Sequence, residues 1–289
     1  MPMTKVTNKI GLFGLGLIGR ALAARLIAGG YEVLGFDPGA EACAAFSEIG
    51  GTVVNAEDVW AVAAVLSAVF DTNQLAGVID AAPTGTGATL ISASTCDPDM
   101  MTDLADRAQA KQITLVEAPL SGTSKDLKDG NAVFLLGGDQ SACAALSDLF
   151  ACLGRAHYYQ GAAGQGNKAK LAINLVLGLN RAALAEGLVF ANSLGLEQDT
   201  FLELLQDSAA ASAVMPSKGP LMVRGDFRPL GRLAQSAKDF NLIRKMGAKS
   251  GQHLPFAQTY QNMVDQGVKA GDGDLDNSAI MLSIERSKP

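Results

Sequence analysis

The sequence predicts an α/β fold, with a doubly wound parallel sheet in the first half and an all-helical domain in the second. Up to about residue 161, short apolar runs alternate with helical patterns, as a parallel sheet with crossover helices requires. After residue 161 the patterns are helical throughout. The chain has 289 residues, of which 48% are hydrophobic, and this is the length of two domains. We therefore expect domains at 1–161 and 162–289.

The elements of the first domain follow one another in order. Lys9–Phe13 predicts a strand, Leu17–Ala28 a helix that stops at two glycines, and Tyr31–Phe36 a second strand. The remaining strands are predicted at Val65–Val69, Thr89–Ala93, Ile113–Glu117 and Ala132–Leu136, with helices near Met100–Lys111 and Ser141–Leu153.

One long helix opens the second domain. From about Gln165 to Ser193, apolar residues recur at three- and four-residue spacing, over roughly 40 Å. Polar residues interrupt this apolar run, so we expect no membrane span; they are Asn174, Asn180, Arg181 and Glu186. The helix carries more apolar surface than one face of a bundle needs, which favours a homodimer or homotetramer.

Composition excludes several classes of site and partner. A net charge of −6 argues against a nucleic-acid partner, because such partners require a clustered basic excess. The four cysteines form no C-x-x-C pair and there are only two histidines, so we expect reduced thiols and no metal site. The first residues show no separate apolar segment with a cleavage site, and we expect a cytoplasmic protein.

A glycine pattern follows the first predicted strand. Gly14, Gly16 and Gly19 form G-x-G-x-x-G between a strand and a helix, and Asp37 ends the second strand 18 residues after Gly19. In a Rossmann-type site the first glycine allows the tight turn, the second lets the pyrophosphate approach, and the third lets the helix pack on the sheet. The amides of Leu17 and Ile18 would then point at the phosphates. A tight turn without a ligand is the alternative.

The position of Asp37 indicates which cofactor binds. A carboxylate there accepts hydrogen bonds from both ribose hydroxyls and repels a 2′-phosphate. The next residues, Pro38 and Gly39, supply no arginine for that phosphate. The sequence therefore favours NAD over NADP.

A lysine and an amide lie one turn apart on the long helix. Lys170 and Asn174 follow Gly164 and Gly166 in the pattern G-x-G-x-x-x-K-x-x-x-N, and residues four apart share a helix face. Near glycines that admit close approach, this pair could protonate and orient a substrate oxygen. A lysine on a solvated helix start is the alternative.

Four motifs together resemble the β-hydroxyacid dehydrogenase family. They occur in the order known for that family and extend over nearly the whole chain. They are GLGLIG at Gly14–Gly19, EAPLSGT at Glu117–Thr123, GQGNKAKLAIN at Gly164–Asn174 and KDFNL at Lys238–Leu242.

The resemblance implies a role for each matching residue. Lys170 corresponds to the lysine that gives a proton to the carbonyl oxygen or removes it, and Asn174 to a residue that orients the substrate. The loop Ser121, Gly122 and Thr123 corresponds to the segment that holds the substrate carboxylate. Three further residues are expected at the cofactor, namely Val69, Thr95 and Lys238. A lysine acting as a base must be neutral part of the time, and burial disfavours its charged form.

The chain departs from the family pattern at three places. Thr123 stands where the family usually has a second glycine, Ile18 where it has methionine, and Val69-Phe70 where it has Leu-Pro. None of these changes removes a reacting group, so they concern the identity of the substrate rather than the chemistry.

The resemblance implies hydride transfer between NAD(H) and a small 3-hydroxy acid or its semialdehyde, a carboxylate-bearing substrate. An imine reductase with the same fold is one alternative, although its relatives usually lack the lysine at position 170. A dehydrogenase-like binding module without catalysis is another; a basic extension or a lost lysine would signal it, and the sequence has neither.

Overall fold

A computed structural model describes residues 8–287 of the chain. It divides into two compact units, Met1–Lys170 and Leu171–Pro289. The boundary predicted at 161/162 lies nine residues earlier, because the sequence marks the start of the long helix, whereas the first turns of that helix bond to the sheet of the first unit.

The first unit contains a sheet of nine strands among the described residues. The strands are β1 (Lys9–Phe13), β2 (Glu32–Phe36), β3 (Thr52–Val53), β4 (Ala64–Ser67), β5 (Thr89–Ser92), β6 (Thr114–Glu117), β7 (Leu120–Ser121), β8 (Val133–Gly138) and β9 (Ala156–Gly161).

The strand order is β3-β2-β1-β4-β5-β6-β8-β7, with β9 paired to β8. The six strands from β3 to β6 are parallel to their neighbours. Strand β8 runs antiparallel to β6 and β7, so the predicted parallel sheet is extended at this end by antiparallel pairing. The order reverses direction between β1 and β4, and open α/β sheets bind ligands at such a point, beyond the carboxyl ends of the strands.

Seven helices belong to the first unit's described residues. They are α1 (Leu17–Ala28), α2 (Ala40–Glu48), α3 (Thr72–Ala81), α4 (Met101–Ala110), α5 (Ser124–Lys128), α6 (Gln140–Ala145) and α7 (Ser147–Leu153), with 3₁₀ turns at Asp58–Trp60 and Pro98–Met100.

Buried apolar side chains cover both faces of this sheet. One cluster joins the strands to α1 and α7 and includes Leu22, Phe134 and Phe150. The other joins the opposite face to α3 and α4 and includes Trp60 and Leu104. Strands buried on both faces account for the near-continuous apolar runs in the sequence.

The second unit is helical. It contains most of α8 (Gln165–Ser193), then α9 (Gln198–Asp207), α10 (Met215–Arg224), α11 (Leu233–Lys249), α12 (Pro255–Lys269) and α13 (Ile280–Arg286), with 3₁₀ turns at Asp272–Asp274 and Asn277–Ala279. Its core packs Leu184 and Leu188 of α8 against Phe240, Tyr260 and other apolar residues. The Rossmann-type first domain and the helical second domain predicted from the sequence are both confirmed.

The long helix predicted at about Gln165 to Ser193 is confirmed with the same bounds. By length and composition it also satisfies the criteria for a membrane-spanning helix, with a mean hydropathy of 1.4 and 33% of its most apolar window buried. Such criteria do not distinguish it from the core helix of a soluble protein. Arg181 in this helix is buried and donates to the Tyr260 hydroxyl at 2.8 Å, a contact of the core type.

The structure corrects several predicted elements. The helix predicted at Ser141–Leu153 is two helices, because Leu146 leaves helical geometry (φ −95°, ψ 6°) between α6 and α7. Most predicted strands are one or two residues shorter or shifted. Strand β9 was not predicted, since its tyrosines, Tyr158 and Tyr159, are exposed on an edge strand and give no apolar alternation.

Candidate active site

The glycine loop has the geometry that the sequence pattern predicts. Gly14 has φ +84°, and a Cβ at this position would lie 2.7 Å from the Ala68 carbonyl oxygen. A Cβ at Gly19 would lie 1.8 Å from the Gly14 carbonyl oxygen, so no larger residue fits there. These two glycines make the turn tight and bring α1 close to the sheet.

Gly16 differs from its two neighbours in the pattern. It is exposed, and a Cβ built on it meets nothing within 4 Å. It is also the N-cap of α1, and as a glycine it offers no side-chain acceptor to the N–H groups of the first turn. Leu17 and Ile18, both half-buried, begin that turn. The helix N-terminus therefore presents backbone donors to open space, which suits an anion.

Asp37 is bonded to the same loop. Its Oδ2 accepts the Leu15 N–H at 2.8 Å, and its Oδ1 accepts the Gly39 N–H at 2.8 Å. These contacts fix the carboxylate at the end of β2, beside the glycine turn. Each oxygen keeps a further lone pair that can accept a ribose hydroxyl.

Arg20 also lies beside the glycine loop and was not predicted as a site residue. Its Nη1 donates to the Leu15 carbonyl at 2.8 Å, so a cation lies next to the glycine loop. The signal for it was present, since residue 20 is one helical turn after the N-cap of α1.

The remaining residues predicted at the cofactor in this unit follow neighbouring strands. Val69 lies after β4, and its carbonyl accepts the Ser94 hydroxyl at 2.7 Å. Thr95 lies after β5 and is 7% exposed. Because β2, β1, β4 and β5 are adjacent and parallel, Asp37, the glycine loop, Val69 and Thr95 all lie along one edge of the sheet.

The predicted carboxylate loop begins on β7. Ser121 is half-buried and pairs with Val133 of β8. Gly122 is exposed with φ +138°, a conformation that favours glycine. Thr123 is the N-cap of α5 in a capping box: its N–H and its hydroxyl both donate to Asp126 Oδ2 at 2.7 Å. Both donors of Thr123 are engaged within the loop, which the predicted role in substrate binding did not anticipate.

A buried carboxylate holds the start of α8. Glu117, at the end of β6, is 1% exposed. Its Oε1 accepts the Gly164 N–H, and its Oε2 accepts the N–H and Nδ2 of Asn167 at 2.9 and 2.7 Å. Asn167 Oδ1 in turn accepts the Cys96 N–H at 2.7 Å. We call Glu117, Asn167 and Cys96 the α8 clamp; it links β6, α8 and the loop after β5.

The clamp explains the glycines before Lys170. Gly164 has φ +91°, and a Cβ there would lie 2.7 Å from the Pro98 carbonyl oxygen. A Cβ at Gly166 would lie 2.7 Å from the Leu135 carbonyl oxygen. These glycines let the backbone of α8 approach β8 and the Pro98 turn; the close approach expected for a substrate is instead an approach of the protein's own backbone.

The three remaining site residues lie on α8 and α11. Lys170 is 8% exposed and follows the clamp residue Asn167 by three positions on α8. Asn174, one turn later, donates through Nδ2 to Asp239 Oδ2 at 2.8 Å. Lys238 Nζ lies 3.1 Å from Asp239 Oδ1. In the second unit Asn174 and Lys238 therefore both contact the carboxylate of Asp239, a residue that was not predicted at the site.

The residues of the sheet edge fit a dinucleotide. The open space at Gly16 would be filled by a side chain in any other residue, and it lies at a helix N-terminus that favours a pyrophosphate. Asp37 lies 18 residues after Gly19, at about the position where the acidic residue that binds the ribose is expected. Its oxygens can accept hydrogen bonds from the ribose hydroxyls. Within residues 8–287, no three His, Cys, Asp or Glu side chains cluster in a way that could hold a metal ion.

Two family models match the chain. The NAD binding domain of 6-phosphogluconate dehydrogenase matches residues 9–161, and the NAD-binding region of NADP-dependent 3-hydroxyisobutyrate dehydrogenase matches residues 164–284. Glyoxylate/succinic semialdehyde reductase 1 of Arabidopsis thaliana is 30% identical over 97% of this chain and 99% of its own length.

The chain belongs to the β-hydroxyacid dehydrogenase family. A solved 3-hydroxyisobutyrate dehydrogenase from Salmonella typhimurium superposes with a TM-score of 0.86 at 24% identity, with 95% of this chain and 99% of that chain covered. The human protein named cytokine-like nuclear factor N-PAC is 28% identical over 96% of this chain, which spans 52% of its length.

Membership of this family places the chain among oxidoreductases that use a pyridine nucleotide. The family models and relatives support a hydroxyacid dehydrogenase or semialdehyde reductase that uses NAD(H) or NADP(H).

Proposed function

We propose that the protein transfers a hydride between NAD(H) and a small 3-hydroxy acid or its semialdehyde, with Lys170 as the general acid and base. The observation that carries the proposal is the edge of the sheet where the open N-terminus of α1, Asp37 and the loop after β5 lie side by side. When bound there, the reduced cofactor NADH would supply the hydride and oxidised NAD would accept it.

The choice of NAD rests on Asp37. A carboxylate at the end of β2 accepts ribose hydroxyls and repels a 2′-phosphate. Arg20 is bonded to the Leu15 carbonyl, and Asp37 accepts from the Leu15 and Gly39 N–H groups. One of the matching family models is named for an NADP-dependent enzyme, and the direct comparison of the two cofactors is therefore the first assay.

Lys170 moves the proton in this proposal. During reduction its ammonium gives a proton to the carbonyl oxygen as the hydride arrives at carbon; during oxidation the neutral amine removes the alcohol proton. Lys170 is buried, with 8% exposure, so a proton that it exchanges passes to a bound substrate in a site largely shielded from bulk water.

The substrate carboxylate is assigned to the loop after β7. The Ser121 hydroxyl and the amide of Gly122 are donors of the kind that a carboxylate needs, and Gly122 is exposed at the loop surface. Because Thr123 donates to Asp126, we assign it the role of shaping this loop rather than contacting the substrate.

The proposal extends to assembly and location. In the second unit Val176, Phe190 and Leu194 of α8 and its following turn are 59%, 63% and 61% exposed. Large exposed apolar side chains on one helix favour self-association, and we propose a homodimer or homotetramer. We also propose that the protein is cytoplasmic and has no nucleic-acid or membrane partner. Light scattering after size exclusion tests the assembly, with Phe190→Asp expected to lower the mass of the species.

The test of the reaction begins with a panel of aldehydes. Purified protein is assayed with NADH and NADPH against glyoxylate, succinic semialdehyde and the semialdehyde of 3-hydroxyisobutyrate. These compounds are chosen because similar proteins are named for them. Lys170→Ala should lower kcat by about 10²–10⁴-fold, the usual contribution of general acid–base catalysis. NADH binding, measured by fluorescence, should persist, because the residues assigned to the phosphates and ribose are Gly14–Gly19 and Asp37.

Lys168→Ala is the matched control, since Lys168 is an exposed lysine two residues earlier on the same helix. It should retain wild-type turnover. If Lys170→Ala binds NADH normally and turns over within about threefold of wild type, Lys170 does not transfer the proton.

Two alternatives remain as outcomes of the same panel. If cyclic imines are turned over and none of the aldehydes is, the result would favour an imine reductase, although the lysine at position 170 argues against one. Cofactor binding without any turnover would favour a binding module. This alternative is considered because one similar protein is named as a nuclear factor.

A further inference from the structure

Asp239 is a buried carboxylate on α11 that joins two of the proposed site residues. It is 6% exposed. Its Oδ2 accepts from Asn174 Nδ2 at 2.8 Å, and its Oδ1 lies 3.1 Å from Lys238 Nζ. Gln235, one turn earlier on α11, donates to Oδ1 at the longer distance of 3.4 Å. All of these residues belong to the second unit.

Contact with Asp239 determines how Asn174 is oriented. An ionised carboxylate only accepts hydrogen bonds, so the group of Asn174 that faces it is the amide nitrogen. The Asn174 carbonyl oxygen is then directed away from Asp239. An asparagine that orients a substrate needs its amide held in one of its two orientations, and the hydrogen bond to Asp239 selects one.

The same carboxylate restrains Lys238. A lysine side chain has many rotamers, and holding it in one of them costs conformational entropy. An ion pair with a buried carboxylate offsets that cost, because charge-assisted hydrogen bonds strengthen where water is excluded. Lys238 is 15% exposed at its side chain, so this ion pair is largely shielded from solvent.

We propose that Asp239 is a positioning residue that sets both the substrate-orienting amide of Asn174 and the cofactor-side ammonium of Lys238. This inference rests on the proposed function, which assigns those two roles. It adds that the substrate and cofactor contacts of the second unit depend on one carboxylate, and that the aspartate of the KDFNL motif is needed for both.

The test measures two constants in the full chain. The Kd for NADH is obtained by fluorescence titration, and KM is measured for the fastest aldehyde of the panel. Asp239→Ala should raise both by about fivefold or more, the coupling expected between residues in one network. Gln235→Ala is the control that removes the long third contact, and it should leave both constants within about twofold of wild type.

Double variants separate positioning from a general structural effect. In an Asn174→Ala background, Asp239→Ala should no longer raise KM but should still raise the Kd for NADH. In a Lys238→Ala background the reverse should hold, because the effect on Kd acts through Lys238. Additive effects in both backgrounds would mean that Asp239 only supports the fold, and would overturn the inference.

Asp239→Asn is a second variant that keeps the inference testable if Asp239→Ala does not fold. It keeps the shape and one oxygen that can accept from Asn174, but it loses the charge opposite Lys238. It should raise the Kd for NADH more than KM, and values of both within about twofold of wild type would overturn the inference. If the single variants Asn174→Ala and Lys238→Ala change neither KM nor the Kd for NADH, their assigned roles are wrong and the inference about Asp239 is overturned with them. The proposed reaction is tested separately, by the effect of Lys170→Ala on kcat.

Discussion

The α8 clamp gives a stability prediction that the structure allows to be worked out in numbers. Glu117→Ala removes the acceptor of three donors: the Gly164 N–H, the Asn167 N–H and Asn167 Nδ2. Each buried donor left without a partner costs about 1–3 kcal/mol. Removal of the buried charge recovers part of its desolvation cost, so we expect a net loss of about 3–5 kcal/mol.

Glu117→Gln should cost less, about 1–3 kcal/mol. Glutamine keeps one oxygen that can accept, but its NH₂ group faces an N–H donor. Asp139→Ala is a control at an exposed carboxylate of the same unit, where Asp139 accepts the Ala142 N–H at 2.8 Å as the N-cap of α6. It should cause a smaller loss than either variant of Glu117.

The single tryptophan provides the assay. Trp60 is 5% exposed in the core of the first unit, with its ring centroid 5.5 Å from that of Phe13. Its fluorescence during urea unfolding therefore reports on the unit that contains the clamp. If Glu117→Ala shifts this transition no more than Asp139→Ala does, the carboxylate does not hold the start of α8 in the way described.

The clamp also predicts a pH dependence. Burial raises the pKa of Glu117 above its usual 4.5, against the lowering effect of its N–H donors. An acid with a higher pKa in the folded state binds its proton more tightly there. Its contribution to stability is present below the unfolded pKa and is lost as pH rises through the folded value. The stability of wild type relative to Glu117→Gln should therefore decrease as pH rises from below 4.5, and a difference that is flat with pH would contradict the assignment.

Three further predictions concern the cofactor and the substrate. Gly16→Ala should fold like wild type, since a Cβ at this position meets no atom within 4 Å, but it should raise the Kd for NADH about tenfold or more. Gly19→Ala should instead destabilise the fold, because its Cβ would lie 1.8 Å from the Gly14 carbonyl oxygen. The urea midpoint measured by Trp60 fluorescence should therefore fall for Gly19→Ala. Wild type should prefer NADH over NADPH in kcat/KM by about tenfold, roughly 1.4 kcal/mol, and Asp37→Ala should narrow this gap; equal efficiency in wild type would refute the role of Asp37. Ser121→Ala should raise KM for acid substrates with the Kd for NADH unchanged, and a neutral ester that turns over as well as the acid would contradict the carboxylate loop.

The parts of the site that sequence predicts are those whose geometry is local. Gly14 and Gly19 contact each other within a single turn, so their spacing alone specifies the loop. Lys170 and Asn174 are one turn apart on a helix whose periodicity is plain. The first strand and the first helix were predicted with their observed bounds for the same reason.

The parts that sequence did not predict depend on residues far apart in the chain. Glu117 and Asn167 are separated by 50 residues, and Asn174 and Asp239 by 65. A carboxylate in a motif gives no signal of whether it is buried or what it accepts. Strand β7 was missed because it has only two residues, too few for any periodicity.

The two buried carboxylates act on one helix face. Asn167 precedes Lys170 by three residues and Asn174 follows it by four, so all three side chains share a face of α8. Each asparagine donates to a carboxylate that is at most 6% exposed, Glu117 in the first unit and Asp239 in the second. The proposed role of Lys170 in proton transfer requires its amine to stay in place in both charge states. Asn167 is held by Glu117 within the first unit, and Asn174 is held by Asp239 within the second, so each neighbour of Lys170 on that face has its own buried carboxylate.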